Sequence, residues 1–315
     1  EIDFFRFGLF GQATKSIGKW GLSAGIRSDM NTFTDTGLQL YRTLSPRVSA
    51  SYQLTDKWFA SASVGRYYKM PIYTVLGFRD EEGNLVNQNM PYIANNHYTA
   101  GIEFMPKSSL RFTLEGFYKT YENYPISLRE GVSLANQGGN FGAIGNEPVS
   151  PIGKGRTYGL ELFAQQKLTK SLFFTASYTL FWSEFTNLNG EYIASAWDTR
   201  HLFSGILGKK FGKGWEMGLK YRFQGGAPFT PFDLEASQRN YLSTGEGVLD
   251  LSQYNSQRLG AFQSFDFRLD KKINFNKWTL DLYLDVVNAF VLPSPAFPQY
   301  TFDRTLDNTA FATTN

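Results

Sequence analysis

Cysteine is absent from the 315 residues, so the chain has no disulfide framework, no thiolate zinc site and no Cys nucleophile. Histidine is scarce. His97 and His201 are the only two, and neither has a second His or a Cys at metal-ligand spacing, so no metal and no cofactor is expected. No stretch approaches the run of about 20 apolar residues that a spanning helix requires, and mean hydropathy is negative, which excludes helical membrane insertion. There is no Lys/Arg block either. The 31 basic and 28 acidic residues are spread along the chain at a formal net charge of +3, so nucleic acid is not expected as a partner. The first residues, Glu1-Ile2-Asp3-Phe4-Phe5-Arg6, open directly into strand-like sequence without signal-peptide features, so a leader is expected to lie upstream or to have been removed. No Pro/Gly/Ser linker splits the chain, so residues 1–315 read as one domain.

Aromatic residues are plentiful: 29 Phe, 18 Tyr and 6 Trp make 17% of the chain. Rings with one polar edge, as in Tyr and Trp, are favoured at membrane interfaces, where part of the ring is dry and part is wet. Besides the helix, only a closed β-barrel satisfies every backbone N–H and C=O inside lipid. Its strands alternate apolar and polar residues, so their mean hydropathy is unremarkable.

A short polar turn followed at once by an apolar anchor recurs six times: Ile17-Gly18-Lys19-Trp20, Thr55-Asp56-Lys57-Trp58, Lys107-Ser108-Ser109-Leu110, Thr169-Lys170-Ser171-Leu172, Gly212-Lys213-Gly214-Trp215 and Phe275-Asn276-Lys277-Trp278. Between these turns lie long connections near residues 31–43, 70–96, 123–155, 187–198 and 225–258, and from 291 onward. Short turns alternating with long loops is the layout of an outer-membrane barrel, with the short turns periplasmic. Six tight turns imply twelve strands.

The strands alternate with period two. Trp278, Leu280, Leu282, Leu284 and Val286 oppose Thr279, Asp281, Tyr283 and Asp285, and Trp215, Met217, Leu219, Tyr221 and Phe223 oppose Glu216, Gly218, Lys220 and Arg222. Leu110, Phe112, Leu114 and Tyr118 stand against Arg111, Thr113, Glu115 and Lys119 in the same way. A lumen of twelve or more strands is too wide for side chains to fill, so the charged face is expected to line water and the apolar face to meet lipid. Asp281 and Asp285, with Arg268 and Lys220, then read as lumen-wall charges. The expected class is all-β: a transmembrane, antiparallel, up-and-down barrel. A soluble sandwich or propeller fits less well, because Leu172 to Glu184 and Arg258 to Phe275 read as pleats longer than the usual 5 to 6 residues.

Four segments resemble the C-terminal barrel of TonB-dependent outer-membrane receptors, the active transporters of Gram-negative bacteria. They are Gly65-Arg66-Tyr67-Tyr68-Lys69-Met70-Pro71, Gly155-Arg156-Thr157-Tyr158-Gly159-Leu160-Glu161-Leu162, Ala196-Trp197-Asp198-Thr199-Arg200-His201 and the late Asp281–Phe290 strand with its Val-x-Asn-x-Phe pattern. The resemblance covers nearly the whole chain. It implies an outer-membrane location, membrane lipid and lipopolysaccharide as surroundings, and energy supplied by the TonB inner-membrane complex through a plug domain. The expected solute is scarce and extracellular, such as an iron chelate, vitamin, glycan or peptide. The family builds barrels of about 22 strands with a plugged lumen. With about twelve strands and no plug, the chain reads as a fragment whose edges other strands pair.

Candidate binding residues are the aromatic and Arg side chains of the long loops: Tyr73, Phe78, Arg79 and Tyr92; Tyr124 and Arg129; Arg200 and His201; Phe229, Phe232, Arg239 and Tyr241. Each has a plainer reading as loop packing. Asp198 and Arg200 share a face by alternation while His201 takes the other, which argues for bracing of the strand start rather than an acid-base cluster. No catalytic residues are expected. A rim hydrolase would need a Ser nucleophile within reach of a histidine, and neither histidine lies near a Ser elbow or a paired-carboxylate motif. The main alternative is a passive twelve-strand porin or channel.

Overall fold

The computed structural model describes residues 3–138, 143–302 and 311–314. Twelve strands form one sheet: β1 (Arg6–Ile17), β2 (Trp20–Asn31), β3 (Ser45–Gln53), β4 (Trp58–Lys69), β5 (Ile93–Lys107), β6 (Leu110–Ser127), β7 (Val149–Thr169), β8 (Leu172–Thr186), β9 (His201–Phe211), β10 (Trp215–Gln224), β11 (Phe262–Asn274) and β12 (Thr279–Val286). Each pairs antiparallel with the next, and the short strand Tyr192–Ala194 adds to β8. Among the described residues β1 and β12 do not pair with each other, so the meander does not close on itself.

All six tight turns join the strand pairs expected of them. Lys170 and Ser171 both adopt positive φ, 48° and 71°, as do Lys213 and Gly214 at 62° and 79°. Backbone of that hand matches the twist of the strands it joins, which is why so few residues suffice.

Register aligns the alternation across strands. Trp58, Phe104 and Phe112 fall in one row near the tight turns, and Tyr98, Tyr118, Tyr158 and Trp182 in a second row near the loops. Within the second row the Tyr158 and Trp182 rings stack at 5.5 Å between centroids. Between the rows on the same face lie Ala100, Ile102, Leu114, Leu160 and Leu162. Two aromatic girdles around an aliphatic band is the lipid-facing surface of a membrane barrel. In water it would be an exposed apolar patch far beyond what a soluble monomer carries.

The opposite face is charged and self-paired. Arg111 meets Glu103 at 2.5 Å, Arg222 meets Asp266 at 3.3 Å, and Lys220 lies 4.0 Å from Asp266. Arg268 lies 3.7 Å from Asp285, and Lys272 3.7 Å from Asp281. The pairing that alternation alone left open is therefore a ladder of cross-strand ion pairs.

The apolar core is in the loops. Met70, Val75, Leu76, Met90, Leu134 and Val149 are buried together, with Phe4, Phe33, Tyr92, Tyr124 and Ile144 packed against them. Strands β6 and β7 run 18 and 21 residues, well beyond the 9–11 or so that a tilted crossing needs, and their far ends carry this core.

The strands reach further than the turn residues suggest. His97 lies inside β5, opposite Gly65 and Lys119, rather than at a strand start. The late strand stops at Val286, because Asn288 turns the chain at φ 52°. Its amide N–H donates to Asp266 Oδ1 at 3.0 Å, and its side chain exchanges two hydrogen bonds with Leu292. Asn tolerates this left-handed conformation better than other non-Gly residues. Asn288→Ala is accordingly expected to cost about 1–2 kcal/mol in denaturant unfolding of the intact protein, with Asn288→Gly recovering the backbone part of the loss.

Candidate solute-binding mouth

Five long loops gather at one end of the sheet: residues 32–44, 70–92, 128–148, 187–200 and 225–261. The fifth is the most elaborate. Pro228–Phe229 pairs with Gln257–Arg258, Phe232–Asp233 pairs with Val248–Leu249, and helix α1 (Leu234–Thr244) lies between the latter two segments. Asp233 caps the start of α1 by accepting the Ala236 N–H at 2.9 Å, and Gly245 ends it at φ 72°. Gln257–Arg258 belongs to this loop, so the pleat expected from Arg258 to Phe275 is broken before Phe262.

One buried carboxylate holds the fifth loop to the sheet. Asp198, with no exposed surface, receives Arg258 Nη2 at 2.6 Å, Arg200 Nε at 3.0 Å and the Ser183 N–H at 3.0 Å. Arg258 Nη1 also donates to the Asp198 carbonyl. Next along the loop, Asn255 Nδ2 donates to the carbonyls of Asn136 and Ala194, both at 2.8 Å, and Tyr254 donates its hydroxyl to Glu130 at 3.0 Å. Burial, and then the neighbouring Glu130 carboxylate, push the Tyr254 phenol well above its ordinary range. A group raised this way contributes to docking below the unfolded tyrosine's pKa of about 10 and loses that contribution as pH rises above it. Proteolytic nicking of the fifth loop should therefore increase at high pH in the native protein and respond less steeply in Tyr254→Phe.

Between the third and fifth loops and the segment around Tyr300 is a cleft of about 460 Å³. Phe229, Phe232, Tyr254, Asn136, Asn255 and Tyr300 line it, with Pro228 and Pro298 among the walls. Aromatic walls with a few polar groups are the usual make-up of a small-molecule site.

The expected site residues divide. Phe229 and Phe232 line this cleft, and Tyr241 packs its ring 5.5 Å from Tyr300 beside it. Tyr73, Tyr92 and Tyr124 are engaged elsewhere: Tyr73 sits edge-on to Phe4 at 5.8 Å, the Tyr92 hydroxyl accepts from Asn31 at 3.2 Å, and Tyr124 packs on Phe185 at 4.5 Å. Arg129 lies over the Phe78 ring at 5.9 Å and bridges the second and third loops. Arg79 donates to Gly83 O within its own loop, and Arg239 pairs with Glu235 one helical turn away. Arg200 lies 5.3 Å over the Trp182 ring, and His201 meets the Tyr178 hydroxyl at 2.7 Å. Asn136, Tyr254 and Asn255 were not among the expected residues. No local pattern marks them, since their role comes from contacts across more than 60 residues of chain, as in Tyr254 to Glu130. Among the described residues no group of three His, Asp or Glu could hold a metal.

A family model described as TonB dependent receptor-like, beta-barrel matches residues 1–288. The chain belongs to this family. Solved structures agree on the fold. The pyoverdine outer-membrane receptor of Pseudomonas aeruginosa superposes with a TM-score of 0.64 at 18% identity, over 99% of this chain and 40% of that one. The ferric-catecholate import receptor of E. coli gives 0.63 at 16% identity, over 94% and 41%, and the alcaligin receptor of Bordetella pertussis 0.56 at 15%, over 90% and 42%. The barrel described here thus spans about two fifths of the length of these receptors. No curated protein matches it significantly.

Proposed function

We propose that this chain is the barrel portion of a TonB-coupled active transporter in the outer membrane of a Gram-negative bacterium. It captures a scarce solute in the cleft between the third and fifth loops and passes it to the periplasm. The observation that carries the reading is the cleft itself: a concave aromatic site at the loop end of the barrel, held in place by the Asp198–Arg258 anchor. Further strands pair the open edges of β1 and β12 to make a barrel of the family's usual size, and a plug fills the lumen against the ion-pair ladder. Lipopolysaccharide and membrane lipid surround the apolar face.

A passive twelve-strand pore would need β1 to pair with β12, and among the described residues it does not. The two readings separate in a planar bilayer. The intact protein is expected not to conduct by itself, and steady partner-free conductance would favour the pore. For the binding step, Phe229→Ala is expected to weaken solute affinity by about 10-fold or more, as removal of an aromatic anchor does. Uptake in cells should stop when the TonB complex is deleted. Uptake that persists without it would overturn the coupled mechanism.

A further inference from the structure

The cleft also points to a class of solute, an inference that rests on the binding reading just given. The five long loops hold twelve Asp and Glu against six Arg and not one Lys, although the whole chain has 31 basic and 28 acidic residues. The other cations of the chain lie mostly on the strands and tight turns, and the five loops themselves are net acidic. Of the six Arg, Arg200 and Arg258 are held by Asp198, and Arg239 by Glu235. Among the described residues no Lys or Arg lines the cleft, while Glu246 does, and Tyr254 connects it to Glu130.

A second observation comes from Asn136, which lines the cleft at 1% exposure. Its Nδ2 donates to the Ile193 and Ala194 carbonyls at 2.8 and 2.9 Å, which fixes the orientation of the amide. Its Oδ1 then accepts no hydrogen bond among the described residues. Buried acceptors are almost always paired, so this oxygen is an acceptor held ready for a donor. The ring faces of Phe229, Phe232 and Tyr254 carry the negative side of the aromatic quadrupole. Acceptor, carboxylate and ring face all favour the same partner.

We propose that the cleft takes a positively charged organic solute, bearing an ammonium or guanidinium group on an apolar or planar body. The charge of the loops would steer such a solute to the mouth, and the effect would weaken with salt. A ferric catecholate, which is anionic, would meet no fixed cation among the described residues that line the cleft.

The test uses the full-length receptor in detergent and three capped tripeptides of equal length, Lys-Phe-Lys, Ser-Phe-Ser and Glu-Phe-Glu, with binding followed by calorimetry. The cationic peptide is expected to bind at least about 10-fold more tightly than the other two, and Glu246→Gln, at an exposed position, to weaken it by about 3-fold or more. If the neutral or anionic peptide binds as tightly and Phe229→Ala weakens it, the cleft is a binding site but its charge preference is wrong. If the cationic peptide binds and Phe229→Ala leaves its affinity unchanged, the site lies elsewhere and both readings fall. Absence of binding by all three overturns the proposal.

Discussion

Asp198→Ala should release the fifth loop from the barrel. The carboxylate is fully buried and is the shared acceptor of Arg258 and Arg200, while the Ser183 N–H completes its coordination. Removing one partner of a buried ion pair usually costs about 3–5 kcal/mol, because the other charge is left without compensation. Both Arg side chains here keep about a third of their surface in water, at 34% and 30%, which places the cost at the lower end of that range. A loss of about 3 kcal/mol corresponds to roughly a 100-fold rise in the open fraction of the loop. Amide hydrogen exchange should speed up by that factor across residues 225–258, with little change in β5 to β7. Double replacement by Asp198→Leu and Arg258→Met, which removes this pair and leaves only Arg200 without its partner, should restore part of the protection. Unchanged exchange in Asp198→Ala would mean that the loop is held by other contacts.

The second large effect belongs to the lipid-facing surface. Leu162 sits in the aliphatic band, opposite Leu114 on one side and Tyr178 on the other, and 48% of it is exposed. An Arg at this depth has to be drawn into hydrocarbon, at a cost of about 2–4 kcal/mol near the bilayer midplane. Ser177 is on the opposite face of the neighbouring strand, where Glu103, Glu115 and Glu161 border the same hollow. Glu115 and Glu161 stand directly opposite each other across β6 and β7, a like-charge pair that a cation would relieve. Leu162→Arg is therefore expected to lower the unfolding midpoint of the intact protein in lipid vesicles sharply, and Ser177→Arg to leave it unchanged or raise it. The reverse order would assign lipid to the wrong face.

The pattern of residues made the strands legible because a barrel strand satisfies one local rule. Side chains alternate between two solvents, and a tight polar turn must follow when the membrane has been crossed. Trp278 through Val286 can be read by that rule alone, and so can the hairpin at Lys170-Ser171. Helix α1 escapes a reading of the sequence even though its boundary residues, Asp233 and Gly245, are an ordinary helix start signal and stop signal. They lie in a Gly/Pro-rich stretch that reads as loop. The likeness to the family's late Val-x-Asn-x-Phe strand carries the expected strand through Asn288, whereas the backbone turns at that residue.

The mouth was legible only in part. Phe229 and Phe232 stand out as aromatics in a long loop, but Tyr73, Tyr92 and Tyr124 look the same in sequence and pack the loop core instead. What separates the two groups is which loops dock on each other. That depends on pairs such as Arg258 with Asp198, 60 residues apart, and Tyr254 with Glu130, 124 apart. Such pairs obey no period.

Single Cys replacements within these 315 cysteine-free residues, each compared with the unsubstituted intact protein, read out the placement of the barrel in the membrane. The most direct test is labelling of whole cells with a membrane-impermeant maleimide at three positions: Glu246→Cys at the cleft, Leu162→Cys in the aliphatic band and Lys170→Cys in a tight turn. Glu246→Cys is expected to be labelled on intact cells, Lys170→Cys only after the outer membrane is permeabilised, and Leu162→Cys in neither case. Labelling of Lys170→Cys on intact cells with protection of Glu246→Cys would invert the barrel, and efficient labelling of Leu162→Cys would contradict a membrane-spanning sheet.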